Sequence, residues 1–209
     1  MIDFISINAH SSIRIACEHV AGEKIIYADP FKLTDAPHDA DIVLITHEHY
    51  DHYSPEDIAK ADSGNTLYVM PAAMEGKPVP GKAIYMQPGD SAIVCGVQIC
   101  AVPSYNVNKP MHQKQYGWLG YIVEVGGRRI YIAGDTDVND DILQLRADIA
   151  MVPVGGTYTM DAPEAAQLIN AVRPAVAIPT HYGDIVGTPA DGEHFRSLVD
   201  SGIEVQLLI

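Results

Sequence analysis

Residues 46–52 read THEHYDH, three histidines and an aspartate within seven positions. Imidazole and carboxylate are ligands for Zn²⁺, and also for Fe and Mn, and the stretch has no thiolate that would favour a soft, cysteine-rich site. The helical zinc-protease pattern H-E-x-x-H does not fit, because its fifth position is Asp51. The preceding residues, DIVLI, are β-branched and apolar and favour a strand, so the cluster sits on the loop that follows one. Alternate side chains share a face in an extended chain, so His47 and His49 can reach one point together. Asp51 and His52 follow as the chain turns toward Ser54, and can serve a second point nearby. The bland alternative is a set of solvated loop histidines. Polar residues this dense at a strand end mark a site instead.

One loop rarely completes such a site, and the chain has nine histidines to draw on. His181 in IPTHYG ends an apolar strand as His47 does after LIT. His112 in NKPMHQKQYGW lies in a polar loop before a strong strand. Asp135 in IYIAGDTD is a carboxylate at the end of another apolar strand, and Asp137 stands beside it. His19, His38 and His194 have no motif around them and read as surface histidines.

The elements that must position these residues are mostly short strands. FISI, SIRIA, KIIYA and DIVLIT come first, then TLYVM, AIYM, SAIVC and VQICAV. WLGYIVEVGGRRIYIAG reads as a hairpin with Gly126-Gly127 as its two-residue turn. SPEDIAKA is a short helix, with Ser54 as cap, Pro55 in the first turn, and Glu56 and Asp57 at the positive end of the dipole. DAPEAAQLINAV is a helix with a capping box between Asp161 and Glu164. AVAIPT then reads as a strand, GEHFRSLVDSG as a helix and IEVQLLI as a closing strand. Blocks of strands with helices between them fit two packed sheets with helices outside, in one domain over residues 1–209. DIVLITH (41–47) and AVAIPTH (175–181) echo each other, each running a strand into Thr-His.

Composition narrows the function classes. The chain has 209 residues, 47% hydrophobic and 19% charged, with a formal net charge of −14. A surface this acidic repels phosphate backbones, so a nucleic-acid role is not expected. No apolar run approaches the roughly 18–20 residues of a membrane span, and the N-terminal residues do not read as a secretory signal. Cys17, Cys95 and Cys100 form no C-x-x-C pair and read as reduced core residues of a cytoplasmic protein. Oligomeric state is not legible.

The order H-x-H-x-D-H, then a lone His, then G-D-T, then T-H resembles the metallo-β-lactamase superfamily. Within it, the chain is most similar to small metal-dependent hydrolases related to ascorbate-6-phosphate lactonase and N-acyl-phosphatidylethanolamine phospholipase D. The likeness runs from NAHSSIRI and IIYADP to PTHYG. It implies a mixed α/β (α+β) fold, a four-layer αββα sandwich, with a two-metal site between the sheets. His47, His49 and His112 would hold one divalent ion, Asp51, His52 and His181 the other, and Asp135 would bridge them. Zinc is the metal expected, with Mn or Fe as alternatives. His10 in NAHSS matches no ligand position. It competes with His112 as a ligand, faces substrate or supports the site from behind, or is a loop residue satisfied by local hydrogen bonds. Asp29 in YADP either supports a ligand or starts a turn with Pro30.

Two divalent ions about 3.5–4 Å apart can share a water and bring its pKa near neutrality, which makes the shared hydroxide a nucleophile. Asp51 would be both ligand and proton acceptor. The implied reaction is hydrolysis of a small phosphodiester, lactone or ester. Tyr105, Asn106, Lys109, Trp118, Thr157 and Tyr158 fall in segments expected to rim the cleft, with Lys109 placed to counter an anionic substrate. Trp118 reads more readily as packing. Two other classes stand beside this one: an iron-dependent redox enzyme on the same fold, and a non-catalytic metal-binding protein.

Overall fold

The computed structural model describes residues 2–20 and 22–209. Its strands form two sheets. The first has six strands in sequence order: β1 (Ile5–Ala9), β2 (Ser12–His19), β3 (Gly22–Ala28), β4 (Ala40–Leu44), β5 (Asp62–Pro71) and β6 (Lys82–Met86). The second has seven. From one edge these are β7 (Ser91–Val94), β8 (Val97–Pro103), β9 (Leu119–Val125), β10 (Arg128–Ile132), β11 (Ile149–Pro153), β12 (Val176–Thr180) and β13 (Glu204–Val205). Each sheet is antiparallel along its first strands and parallel along its later ones. The change falls at β3 in the first sheet and β10 in the second.

Three apolar clusters establish four layers. The central one joins Ile15, Ile26 and Leu44 of the first sheet to Ile99, Tyr121, Val123 and Ile132 of the second. A second lies under the helices α2 (Ala162–Val172) and α3 (Pro189–Leu198), against the outer face of the second sheet. The third packs α1 (Pro55–Ala61) through Ile58 onto Val43, Ile45 and Tyr68 on the outer face of the first. Helices therefore cover both outer faces, as an αββα sandwich requires.

Local chemistry explains most boundaries. Gly126 and Gly127 have φ of 58° and 72° between the paired residues Val125 and Arg128, the positive-φ turn that matches strand twist. Asp161 accepts the Glu164 N–H at 2.9 Å, and the Glu164 carboxylate accepts the Asp161 N–H at 3.0 Å. Asp57 does more than favour the α1 dipole. Its carboxylate accepts the backbone N–H of Lys32 and of Leu33, both at 2.9 Å, and so pins the segment after β3 onto the helix.

The structure departs from the sequence pattern in three places. β11 carries no alternation, because Ile149 and Met151 face the central core while Ala150 and Val152 face the helices. α3 begins before GEHFRSLVDSG, at Pro189, where the Asp191 carboxylate accepts the Thr188 N–H at 2.6 Å, and ends at Leu198. Of IEVQLLI only Glu204 and Val205 pair, with Val176 and Ala177. The three cysteines are free, Cys17 buried and the other two half-buried.

Candidate metal centre

Four segments at strand ends deliver the clustered side chains. β4 ends at Leu44, and residues 46–52 turn over the edge of the first sheet into α1. β8 and β9 are joined by the loop that carries His112, β10 runs into Asp135, and β12 runs into His181. The Thr-His echo thus marks two parallel strands in different sheets, each handing a histidine to the same place. The sheets are tied together there: the Leu119 N–H donates to Thr46 O at 3.0 Å, and the Tyr121 hydroxyl donates to Ile45 O at 2.6 Å. His181 approaches so closely that a Cβ on Gly155 would sit 2.2 Å from its carbonyl oxygen, so position 155 is confined to glycine.

Asp135 lies at the centre. Its Oδ2 is 3.2 Å from His112 Nε2, 3.2 Å from His181 Nε2 and 3.9 Å from His47 Nε2. Its Oδ1 is 3.3 Å from His52 Nε2. On one side, His47, His49, His112 and Asp135 bring donor atoms within 4.8 Å of one another. On the other, His52, Asp135 and His181 do the same, as do His10, Asp51 and His181. Asp51 Oδ2 is 3.5 Å from His52 Nε2 and 3.7 Å from His181 Nε2.

The donor set fits divalent cations. Both ring nitrogens of His10, His112 and His181 are buried without a hydrogen-bond partner among the described residues, as are His52 Nε2 and Asp135 Oδ1. Buried polar atoms are nearly always satisfied, and leaving this many open in one spot is costly. Imidazole nitrogens and carboxylates with free lone pairs are the ligands of Zn²⁺ and related ions. Donor atoms 3.2–3.7 Å apart match the roughly 3.4 Å edge of a tetrahedron with bonds of about 2.1 Å.

Electrostatics divides the cluster into two halves. Burial, and then the charge on His52, hold the His47 ring well below its ordinary pKa, and burial with His112 lowers that of His49. Burial also acts against a charged His52, but Asp135 and Asp29 outweigh it and raise the pKa of this ring well above the usual value. For His181, Asp135 and Asp51 overcome burial in the same way. Burial opposes ionisation of Asp135, yet His181, His52 and His112 hold its carboxyl well below the carboxylate range. Without metal, these influences favour the neutral forms of His47 and His49 and the charged, protonated forms of His52 and His181. Since a cation displaces those protons, its affinity rises with pH. Zinc titrated into metal-free protein in weak buffer near pH 7 is expected to release protons mainly as the His52–His181 position fills. Uptake without proton release would contradict these charge states.

Residues outside the cluster hold it in place. Asp29, buried at the end of β3, accepts the Thr46 N–H at 2.8 Å, the Thr46 hydroxyl at 2.6 Å and His52 Nδ1 at 2.7 Å. Burial pushes its carboxyl up while His52 and Thr46 pull it down. Two Thr46 donors aimed at it require both oxygens as acceptors, so the shared proton belongs on His52 Nδ1, and Nε2 is the nitrogen that a cation would take. Thr46 Oγ1 is also 3.0 Å from His47 Nδ1, a role its sequence position beside the histidines did not disclose. Trp118 is buried with its rings about the ligand side chains, 4.7 Å from His47 and 4.9 Å from His49. Asp137 holds the His112 loop by accepting the Val107 N–H at 3.0 Å and Lys109 Nζ at 2.5 Å. Asn106 accepts nothing from the site, but its N–H donates to His112 O at 2.6 Å and its side chain donates to Tyr158 O at 2.7 Å.

A cavity of about 310 Å³ opens over the cluster. Its floor is His49, Asp51, His112, Asp135 and His181, and its walls are Tyr50, Met111, Tyr158 and Ile185. Lys109 does not reach it as an open cation, because it is paired with Asp137 and lies 3.6 Å from Glu164. Tyr105 turns away to donate to Asp141. His19, His38 and His194 lie outside the cluster, the first two bonded to backbone carbonyls. A larger depression of about 760 Å³ lies by the Gly126-Gly127 turn and has none of the clustered ligands in its wall.

An αββα sandwich with imidazoles and carboxylates converging at one edge of its two sheets defines a metal-dependent protein. The chain belongs to the β-lactamase superfamily, whose domain model matches residues 5–181, and it is a metal-dependent hydrolase of the metallo-β-lactamase type. It is 34% identical over 199 residues to a metal-dependent hydrolase of Thermoplasma acidophilum, covering 88% of this chain and 87% of the relative. A metal-dependent hydrolase of Thermococcus onnurineus is 33% identical over 210 residues, covering 92% of each. A crystal structure from Parabacteroides distasonis matches with a TM-score of 0.80 at 31% identity, over 97% of this chain and 91% of that one. At 13% identity, a diiron β-hydroxylase from Streptomyces venezuelae shares the fold, with a TM-score of 0.76 over 98% of this chain and 52% of its own. No helix among the described residues is long and apolar enough to cross a membrane.

Proposed function

We propose that the chain hydrolyses a small, uncharged carboxylic ester or lactone with an apolar substituent, using two divalent cations, zinc by preference. His47, His49 and His112 would hold one ion, Asp51, His52 and His181 the other, and Asp135 would bridge them. The observation that carries this reading is the Asp135 carboxylate, which faces His112, His181 and His47 through one oxygen and His52 through the other. Bound there, the ions would supply an acidified water and polarise the oxygen under attack.

The chain's own groups do the rest. Asp51 faces the cavity, and although burial opposes it, His10, His181 and His52 hold its carboxyl far below the ordinary range. It therefore stays an anion, able to hold a cation and to accept a hydrogen bond from the attacking water. Tyr50, Met111, Tyr158 and Ile185 exclude water and bind apolar surface. Neither lysine nor arginine lines this cavity among the described residues. Lys32 and Lys77, on neighbouring segments, are paired with Asp184 and Glu48. A phosphate group would find no free cation beyond the metal ions, which favours a neutral substrate over the phosphodiester.

The test is a hydrolysis screen of protein reconstituted with zinc, manganese or iron, with His181→Ala as the control. Chelation is expected to abolish activity, and kcat/KM for p-nitrophenyl butyrate is expected to exceed that for bis-p-nitrophenyl phosphate. Faster phosphodiester cleavage would overturn the substrate class. Activity that survives complete metal removal would overturn the mechanism. A coloured, iron-loaded protein that consumes oxygen and cleaves neither substrate would establish the redox reading instead.

A further inference from the structure

We infer that His10 is an additional nitrogen ligand of the cation held by Asp51 and His181, an inference that rests on the two-metal reading above. His10 sits in the two-residue connection between β1 and β2, far in sequence from the other clustered groups. The structure nevertheless buries it completely, with neither ring nitrogen bonded to any described residue. A loop histidine satisfied by its own turn would show local partners. This one has none and instead aims into the cluster.

Its geometry is that of a donor. His10 Nε2 lies 3.4 Å from Asp51 Oδ2, the separation expected between two atoms bound to one ion at about 2.1 Å. The donor atoms of His10, Asp51 and His181 all fall within 4.8 Å of one another. The His10 ring is 3.8 Å from that of His181, centroid to centroid, but 6.4 Å from that of His52. It therefore stands beside His181 and farther from His52, where it would add a ligand without displacing one.

The backbone supplies an independent observation. His10 and His181 adopt φ of 54° and 58°, a left-handed conformation that costs non-glycine residues energy. The two are joined directly, the His181 N–H donating to His10 O at 3.0 Å. Two strained residues locked to each other, with their rings side by side, form a built pair. His10 also belongs to the β1–β2 hairpin at the edge of the first sheet, so the second ion would clamp β1 and β2 to the loop after β12.

Cobalt(II) loading reads this directly. An imidazole bound to cobalt gives a strongly shifted, exchangeable N–H proton resonance, and one that only hydrogen-bonds a ligand does not. His10→Ala is expected to lose one such resonance and to weaken one of the two cobalt ions by about tenfold or more in calorimetry, with the other unchanged. Free imidazole added to the variant should restore the signal. His10→Gln, whose amide can donate a hydrogen bond to Asp51, should lose the same resonance, and serves if the alanine protein does not fold. Two tightly bound ions and an unaltered set of shifted resonances in either variant would overturn the assignment of His10 alone. Wild-type protein that takes up fewer than two cobalt ions per chain would overturn the two-metal reading as well.

Discussion

Asp135→Ala is expected to purify with fewer than two ions per chain and to lose hydrolysis by about a thousandfold or more. The reason is the number of partners one carboxylate serves. Four imidazoles face its two oxygens at 3.2–3.9 Å, from three different loops. Removing it leaves each half of the centre without its shared anionic ligand and leaves the imidazole nitrogens buried opposite one another. The proton balance also shifts. Asp135 is the largest favourable influence on a charged His52 and a charged His181, so both rings give up protons more easily in the variant. A loss of about 4 kcal/mol in transition-state stabilisation corresponds to this rate, within the several kcal/mol that a metal contributes. Asp135→Asn separates charge from shape: it keeps the size and is expected to bind metal little better than alanine. Elemental analysis after dialysis, with the ester assay, decides. Two ions retained in Asp135→Ala would show that the halves do not depend on this carboxylate.

The fold was legible because most of its strands are short runs of β-branched and apolar residues and because α1 and α2 are capped by recognisable residues. Val125 and Arg128 flank a Gly-Gly turn, and Asp161 and Glu164 close a capping box, and these signals are local. β11 was harder to read, because a strand covered on both faces has no period. The end of the chain failed for another reason. IEVQLLI has strand-forming residues, but β12 offers pairing to only two of them.

Within the site, the dense motif announced itself, while residues that act through a neighbour did not. Thr46 stands next to His47 in the sequence, but its hydroxyl matters because Asp29, 17 positions earlier, accepts it. Asp137 follows G-D-T closely enough to compete with Asp135 as a ligand. Its carboxylate goes instead to the backbone of the His112 loop and to Lys109. That pairing also removes Lys109 from substrate binding, which its charge alone had suggested. A lysine's sign is legible in a sequence, but its partner is not. His10 shows the same limit, because nothing in NAHSS shows that a turn between two strands will be buried against His181.

On the two-metal proposal, Asp29→Asn should weaken the ion nearer His52 by about 10- to 100-fold and the other much less. The Asp29 carboxylate takes three hydrogen bonds, two from Thr46 and one from His52 Nδ1. This keeps the His52 proton on Nδ1 and presents Nε2 toward Asp135 and Asp51. An amide in the same place has only one acceptor oxygen. If that oxygen serves Thr46, the amide nitrogen meets His52 Nδ1 donor to donor. The ring then relieves the conflict by moving its proton to Nε2, the atom needed as a ligand. His49 and His112 make no hydrogen bond to Asp29, and His47 reaches it only through Thr46 Oγ1, so the ion on their side is the less affected. Calorimetric zinc titration should resolve one strong and one weakened step. Asp29→Ala should weaken the same step and, by leaving the buried Thr46 N–H unsatisfied, also cost about 1–3 kcal/mol of folding stability in urea melts. Equal loss at both steps would mean that Asp29 supports the whole loop, and no loss at either would mean that His52 finds its orientation without it.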